Sequence, residues 1–193
     1  MPMIRETIVS TTDGAGRVHL APLGMIAEGD GWIIAPFRPS TTLDNLRIVP
    51  FAVANFSDNV RIFAGCLTGR GRWPTVACAE FAVPRLADAL AHAELAVTHI
   101  TDDEQRPRFH CRVLRNVAHA AFKGFNRAQA AVIEAAILVS RLQMLPREKV
   151  EREIAYLEIA VRKTASAAEE EAWSWLTERI RAFYAEAEPQ QQQ

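Results

Sequence analysis

The hydrophobic pattern changes its period after Phe122-Lys123-Gly124-Phe125, and this break constrains the fold more than any other feature of the chain. Upstream of it, β-branched and apolar residues come in short runs interrupted by Gly and Pro, the mark of strands joined by tight turns. Downstream, apolar residues recur every third or fourth position, as on one face of a helix. Strands first and helices second predict an α+β architecture rather than an alternating parallel sheet.

Ile4 to Thr11 reads as a strand ending at the hairpin signal Asp13-Gly14-Ala15-Gly16, with Arg17 to Ile26 as the returning strand. Glu28-Gly29-Asp30-Gly31 is the next turn, and Trp32 to Phe37 completes a β-meander. Pro39 imposes an extended residue before it, and Ser40 or Thr41 can cap a short helix running towards Ile48. Pro50 stops that helix and Phe51 to Phe56 returns as a strand. Asp58 to Leu67 is ambiguous, one option being a short helix that carries Val60, Phe63 and Ala64. Gly69 to Pro74 is expected to be an exposed loop, and Val76 to Val83 one further strand, followed by a small apolar segment at Leu86 and Leu90. Glu94 to Thr101 and Phe109 to Ala118 form a second hairpin around the polar loop Asp102 to Pro107. Roughly six or seven mostly antiparallel strands of this kind build a small closed barrel.

In the second half, Asn126 can cap a helix reaching about Leu145, with Val132, Ile133, Ala136, Ile137 and Met144 on its apolar face. Pro146 suits the first turn of the next helix, whose stripe is Val150, Ile154, Leu157 and Val161. Ser166 followed by Glu169 is a capping-box pattern, and it opens a third helix facing inward with Ala172, Leu176, Ile180 and Phe183. Gln190 to Gln193 should fray.

Composition removes several function classes. The 22 basic and 23 acidic residues are interspersed, and no basic stripe of the kind that displaces phosphate counterions is visible, so nucleic acid is not an expected partner. No apolar stretch approaches the ~20 residues of a bilayer span, and no signal peptide is evident, so a cytoplasmic protein without a membrane partner is expected. The three cysteines, Cys66, Cys78 and Cys111, are scattered and form no Cys-x-x-Cys pair. They read as small buried apolar residues in a reducing compartment, with no metal site.

The segment that carries chemistry is Arg38-Pro39-Ser40-Thr41-Thr42, leading into Leu43-Asp44-Asn45-Leu46. A bound phosphate needs free main-chain N–H groups at a helix start, neutral hydroxyl donors and a guanidinium fork, and all three fall within one turn here. An ordinary capped helix with a surface arginine fits the same residues. Upstream, His19-Leu20-Ala21-Pro22-Leu23-Gly24 places a proline and a glycine inside a strand. Such a strand either is an edge with a bulge or exposes backbone to the heteroatoms of a flat ring.

Taken in order, the glycine turn, the strand ending in Ala21-Pro22-Leu23-Gly24, the next strand and Arg38 to Leu46 resemble the FMN-binding split-barrel superfamily, which includes flavin reductases and pyridoxamine-phosphate oxidases. Asn55-Phe56-Ser57-Asp58 and Phe125-Asn126-Arg127, with the helix Val132 to Ala136, resemble more narrowly the archaeal and bacterial family known as domain of unknown function four-four-seven. The likeness covers nearly the whole chain. It implies a split-barrel flavin-binding domain over 1–122, a three-helix subdomain over 123–188, a disordered tail over 189–193, and a homodimer. It further implies FMN as cofactor, with its phosphate held by Arg38, Ser40, Thr41 and Thr42 and that loop supported by Asn45. Ala21, Pro22 and Gly24 should face the isoalloxazine ring, and Asn55 and Arg127 complete the implied cofactor set. The implied activity is that of a flavin-dependent oxidoreductase taking a nicotinamide or a heteroaromatic, pterin-like substrate. The alternatives are a non-catalytic flavin-binding or scaffold dimer, and a barrel that binds the deazaflavin coenzyme. No catalytic residue is assigned.

Other candidates weigh less. Arg127, Glu134 and Arg141 share a helix face, and Glu134 among apolar neighbours suggests a buried carboxylate needing a partner. His19 on a strand is either a proton donor or half-exposed. His99 and His110 are placed as cross-strand neighbours without a third metal ligand. Trp73, with Arg70 and Arg72, is a loop that either closes over a ring or is simply exposed, whereas Trp173 and Trp175 read as packing residues. Ser57-Asp58 reads as a helix cap.

Overall fold

The computed structural model describes residues 2–70 and 72–187. They form two compact units, Met1–Asp58 with Trp73–Phe122, and Asn59–Arg72 with Lys123–Gln193. The expected tail at 189–193 lies outside the described residues.

The first unit is a closed six-stranded barrel in the order β1-β2-β3-β8-β7-β4. Its strands are β1 (Ile4–Thr12), β2 (Val18–Glu28), β3 (Gly31–Ile34), β4 (Phe51–Phe56), β7 (Ala91–Thr101) and β8 (Arg108–Ala118). Every neighbouring pair is antiparallel, and β1–β2, β2–β3 and β7–β8 are hairpins of successive strands. The first hairpin closes on Asp13, whose carboxylate accepts from the N–H groups of Ala15 at 3.0 Å and Arg17 at 2.9 Å. At Gly31 the backbone of β3 runs so near β8 that a Cβ there would lie 2.3 Å from the Cys111 carbonyl oxygen. Only glycine fits that approach.

The interior is filled by Val9, Met25, Ile34, Ala54, Leu95 and Phe109, and the short helix α1 (Thr41–Ile48) adds Leu43 and Leu46 to it. Residues 7 to 12 of β1 are buried on both faces. The outer face of the barrel at β1 and β4 is covered by a separate hairpin of β5 (Thr75–Cys78) and β6 (Phe81–Leu86). The expected single strand from Val76 to Val83 is therefore two, because the chain reverses at Glu80 with φ 59°. No glycine marks that turn. β3 stops at Ile34 rather than Phe37, and β7 begins at Ala91 rather than Glu94.

The second unit is helical: α2 (Val60–Thr68), α3 (Arg127–Val139), α4 (Arg147–Thr164) and α5 (Ala167–Ala187). Its core joins Val60, Ala64, Val132, Ala135, Val161, Ala172 and Leu176. Residues 59–72, which the sequence boundary assigns to the barrel half, thus cluster with the helices through the apolar face of α2. Asn126 caps α3 by accepting from Ala128 and Gln129, and α3 ends at Val139, short of Leu145. Met144 is exposed, not part of the stripe. The box at the start of α5 forms: Glu169 accepts from the Ser166 N–H at 2.9 Å and from its hydroxyl at 2.5 Å. Glu134 is exposed, and among the described residues no ion pair joins it to Arg127 or Arg141; its neighbours in sequence are apolar but its own side of the helix is not.

Candidate functional site

Ser40 is the N-cap of α1, with φ −159° and ψ 146°, and its Oγ accepts from the Leu43 N–H at 3.4 Å. The Asp44 N–H closes the first turn onto the Ser40 carbonyl at 3.2 Å. The N–H groups of Thr41 and Thr42 have no partner among the described residues. These are the orphan donors that a helix start offers to an anion. Thr41 is exposed, and Thr42 is buried at 2% exposure with no hydrogen bond from its hydroxyl among the described residues. Asn45, one turn on from Thr41 and Thr42, is buried and donates to Thr11 Oγ1 at 3.0 Å, tying α1 to β1.

Arg38 is not free. Its Nη2 donates to Asp102 Oδ1 at 2.5 Å and its Nε to the Asp103 carbonyl at 3.1 Å, while its main-chain N–H donates to the Gln105 carbonyl. Asp102, Asp103 and Glu104 line with it a cleft of about 430 Å³. The Asp102 carboxylate stands where an oxyanion would sit on the guanidinium fork. Asp103 is held below the usual carboxylate range by the N–H groups of Arg106 and Gln105.

The strand that should face a ring has an open edge. Ala27 donates to the Met3 carbonyl, so odd-numbered residues of β2 bond to β1, and Leu20, Pro22 and Gly24 turn their backbone groups the other way. β3 covers that edge only from Ile26 to Glu28. From Leu20 to Gly24 it has no strand partner among the described residues, and Pro22 has no N–H to leave unpaired. Ala21 sits between these outward-facing residues in the same half-buried stretch. Because α1 packs on β1 and β2, the free amides of Thr41 and Thr42 and this edge belong to one region of the barrel unit.

Two expected cofactor residues are placed differently. Asn55 is fully buried, and its amide donates to the Ile8 carbonyl at 2.8 Å and Ser10 Oγ at 2.9 Å, while its Oδ1 accepts from the Leu86 N–H at 2.7 Å. Both ends of the Asn55 amide are thus engaged in joining β1, β4 and β6. Arg127 is exposed in the first turn of α3, in the helical unit.

His19 is half-buried, and burial lowers its pKa, which favours the neutral ring. His99 and His110 do stack across β7 and β8 with ring centroids 4.0 Å apart. His110 is spoken for by Glu28 at 2.6 Å and Thr101 at 3.0 Å. Arg70 pairs with Glu178 at 2.5 Å and lies over the Trp175 ring, a packing role in the helical unit. The Trp73 indole N–H is buried without a partner among the described residues. The cap of α2 is Asn59 rather than Ser57-Asp58. A buried His92 and Glu94, two apart on β7 and so on one face, escaped the sequence reading, although that spacing on a strand was the available signal.

A family model described as the N-terminal domain of a protein of unknown function (DUF447) matches residues 5–120, and a second, described as protein of unknown function (DUF447), matches 126–178. The chain belongs to the DUF447 family. Among solved structures, the FMN-bound DUF447 protein MM1853 from Methanosarcina mazei is 22% identical with a TM-score of 0.79, over 93% of this chain and 96% of that one. The 2-nitrobenzoate 2-nitroreductase NbaA of Pseudomonas fluorescens is 20% identical, TM-score 0.52, over 62% and 66% of the two chains. An FMN-binding protein from Thermus thermophilus is 16% identical, TM-score 0.52, over 62% and 73%. These likenesses establish the split-barrel fold for this DUF447 member. The comparison with curated proteins found no match. Among the described residues no helix is long and apolar enough to cross a membrane.

Proposed function

We propose that this barrel binds FMN and acts as a flavin-dependent reductase. The reading is carried by the two unbonded amides at the start of α1, a helix that packs on β1 and β2, and by the unpaired edge of β2. The N–H groups and hydroxyls of Thr41 and Thr42 would receive the phosphate, Ser40 keeps the helix start in shape as its cap, and Asn45 holds the helix against β1. The backbone of Leu20 and Gly24 would meet the ring heteroatoms, with Ala21 and Pro22 against its face. Arg38 joins the phosphate by exchanging the Asp102 carboxylate for it. Bound FMN would supply hydride transfer at its ring; the protein's part is to hold, orient and shield it. FMN-bound MM1853, similar over nearly the full length of both chains, supports the cofactor. The substrate class in this reading is a reduced nicotinamide or a heteroaromatic, pterin-like ring, on a homodimer in the cytoplasm, a compartment that the free thiols suit.

One observation favours a second reading, a flavin-binding dimer without turnover. Three acidic side chains surround the Arg38 cleft, and they oppose the approach of an anionic dinucleotide donor. Absorbance and mass of the copurifying small molecule identify FMN, the deazaflavin coenzyme or neither. Anaerobic bleaching of bound flavin by a reduced nicotinamide supports the reductase; flavin that no nicotinamide reduces supports the second reading.

A further inference from the structure

Outside the proposed flavin site, Cys78, His92 and Glu94 bring one ligand atom each to a common point, all within 4.8 Å of one another. His92 and Glu94 alternate with Ala93 and Leu95 on β7, and since Ala93 and Leu95 fill the barrel interior, the two polar side chains face outward. The β5–β6 hairpin contributes Cys78 from the end of β5. His92 and Glu94 are only 4% and 5% exposed.

Two of the three separations approach those of a coordination shell, the third lies within 4.8 Å, and the connectivity is not that of a nucleophilic triad. Cys78 Sγ and Glu94 Oε1 both approach the same ring atom, His92 Nε2, at 3.7 and 3.4 Å. In a nucleophilic triad the carboxylate would sit on the opposite ring nitrogen from the thiol. Bonds of about 2.0–2.3 Å to a tetrahedral zinc put ligand atoms about 3.3–3.6 Å apart. The opposite nitrogen, His92 Nδ1, lies 2.8 Å from His119 Nε2, and the His119 main-chain N–H is anchored to the Leu90 carbonyl. Two tautomers fit these contacts: in one, Nε2–H donates to Glu94 and Nδ1 accepts from His119, and in the other Nδ1–H donates to His119 and the Nε2 lone pair points at the Glu94 carboxylate. The second sets two acceptors facing one another in a buried place, and it is selected by a cation between them. No arginine supplies it: Arg85 donates to the carbonyls of Leu86 and Ala87, and no ion pair joins Arg85 or Arg115 to Glu94 among the described residues.

We propose that Cys78, His92 and Glu94 bind a divalent metal of the zinc class, with His119 orienting His92 and a water in the fourth position. Thiolate, imidazole and carboxylate together favour zinc over magnesium or calcium. On binding, the Cys78 thiol releases its proton to solvent, and the two negative ligands balance the charge of the ion.

The test is metal titration of the full chain after dialysis against a chelator. Cobalt(II) as the probe should bind one per chain, with visible absorption of tetrahedral intensity and a near-ultraviolet thiolate-to-cobalt band, and zinc should displace it. Cys78→Ser should abolish the thiolate band and weaken zinc at least tenfold, Glu94→Gln should weaken zinc at least tenfold with the thiolate band kept, and Cys66→Ser should change neither. Failure of the wild-type chain to show the thiolate band overturns the proposal, as does a band that survives Cys78→Ser. If Cys78→Ser does not fold, the wild-type spectrum and the Glu94→Gln affinity decide, and unchanged zinc affinity in Glu94→Gln overturns it.

Discussion

Replacing Thr42 by Val separates binding from folding at the proposed phosphate site. The two side chains have nearly the same shape, and the Thr42 hydroxyl bonds no group among the described residues, so its loss leaves no orphan behind among them. The change in stability should be under about 1 kcal/mol, in contrast to Ser40→Ala, which removes the cap on Leu43 and should cost about 1 kcal/mol. A hydroxyl bonded to a charged phosphate contributes about 1.5–3 kcal/mol, and each 1.4 kcal/mol is about tenfold in Kd. Thr42→Val should therefore weaken FMN roughly tenfold to a hundredfold while the melting temperature stays within a few degrees. Fluorescence titration of apo-protein with FMN, paired with a thermal melt, reads both numbers. An unchanged Kd would refute the placement of the phosphate at Thr42, and a large drop in melting temperature would refute the claim that the hydroxyl is idle in the free chain.

Gly31→Ala places a methyl 2.3 Å from the Cys111 carbonyl oxygen, and since backbone must yield, a loss of about 1–3 kcal/mol is expected in urea unfolding. Asn55→Leu leaves the Leu86 N–H and the Ile8 carbonyl without their buried partner and should cost about 2–5 kcal/mol by the same measurement, with any FMN loss tracking unfolding. Burial pushes the Glu169 carboxyl up, but the Ser166 hydroxyl and N–H and the Gln129 amide outweigh it and hold the group below its ordinary 4.5. Its contribution is thus present above that value and lost as pH falls through the lowered one, so Glu169→Gln should flatten the acid limb of the stability profile followed by circular dichroism.

Much of the barrel is legible in the sequence because its punctuation is local. Pro39, Ser40 and Pro50 bound α1 and β4 by φ restriction and capping, and Asp13 with Gly16 closes the first hairpin, all within a few residues. The β5–β6 turn escaped because Glu80, not glycine, takes the left-handed conformation there. The apolar run before Asn55 shows that it lies in a strand but not that its amide joins three strands, since its partners on β1 and β6 are 31 to 47 residues away. The Arg38–Asp102 pair spans 64 residues and is a product of the barrel closing, not of either segment. Glu134 was misread for the opposite reason: apolar neighbours in sequence lie on other faces of a helix, and its own face is exposed. Cys78 and His92 meet only after the β5–β6 hairpin folds onto the barrel, so neither spacing nor composition could pair them.

The sharpest measurement compares FMN with riboflavin, which carries the same ring and no phosphate, on the same apo-protein by calorimetry. If the amides and hydroxyls of Thr41 and Thr42 grip the phosphate, FMN binds tighter by about 3 kcal/mol or more, at least about a hundredfold in Kd. Equal affinities would mean that the start of α1 plays no part in holding the cofactor.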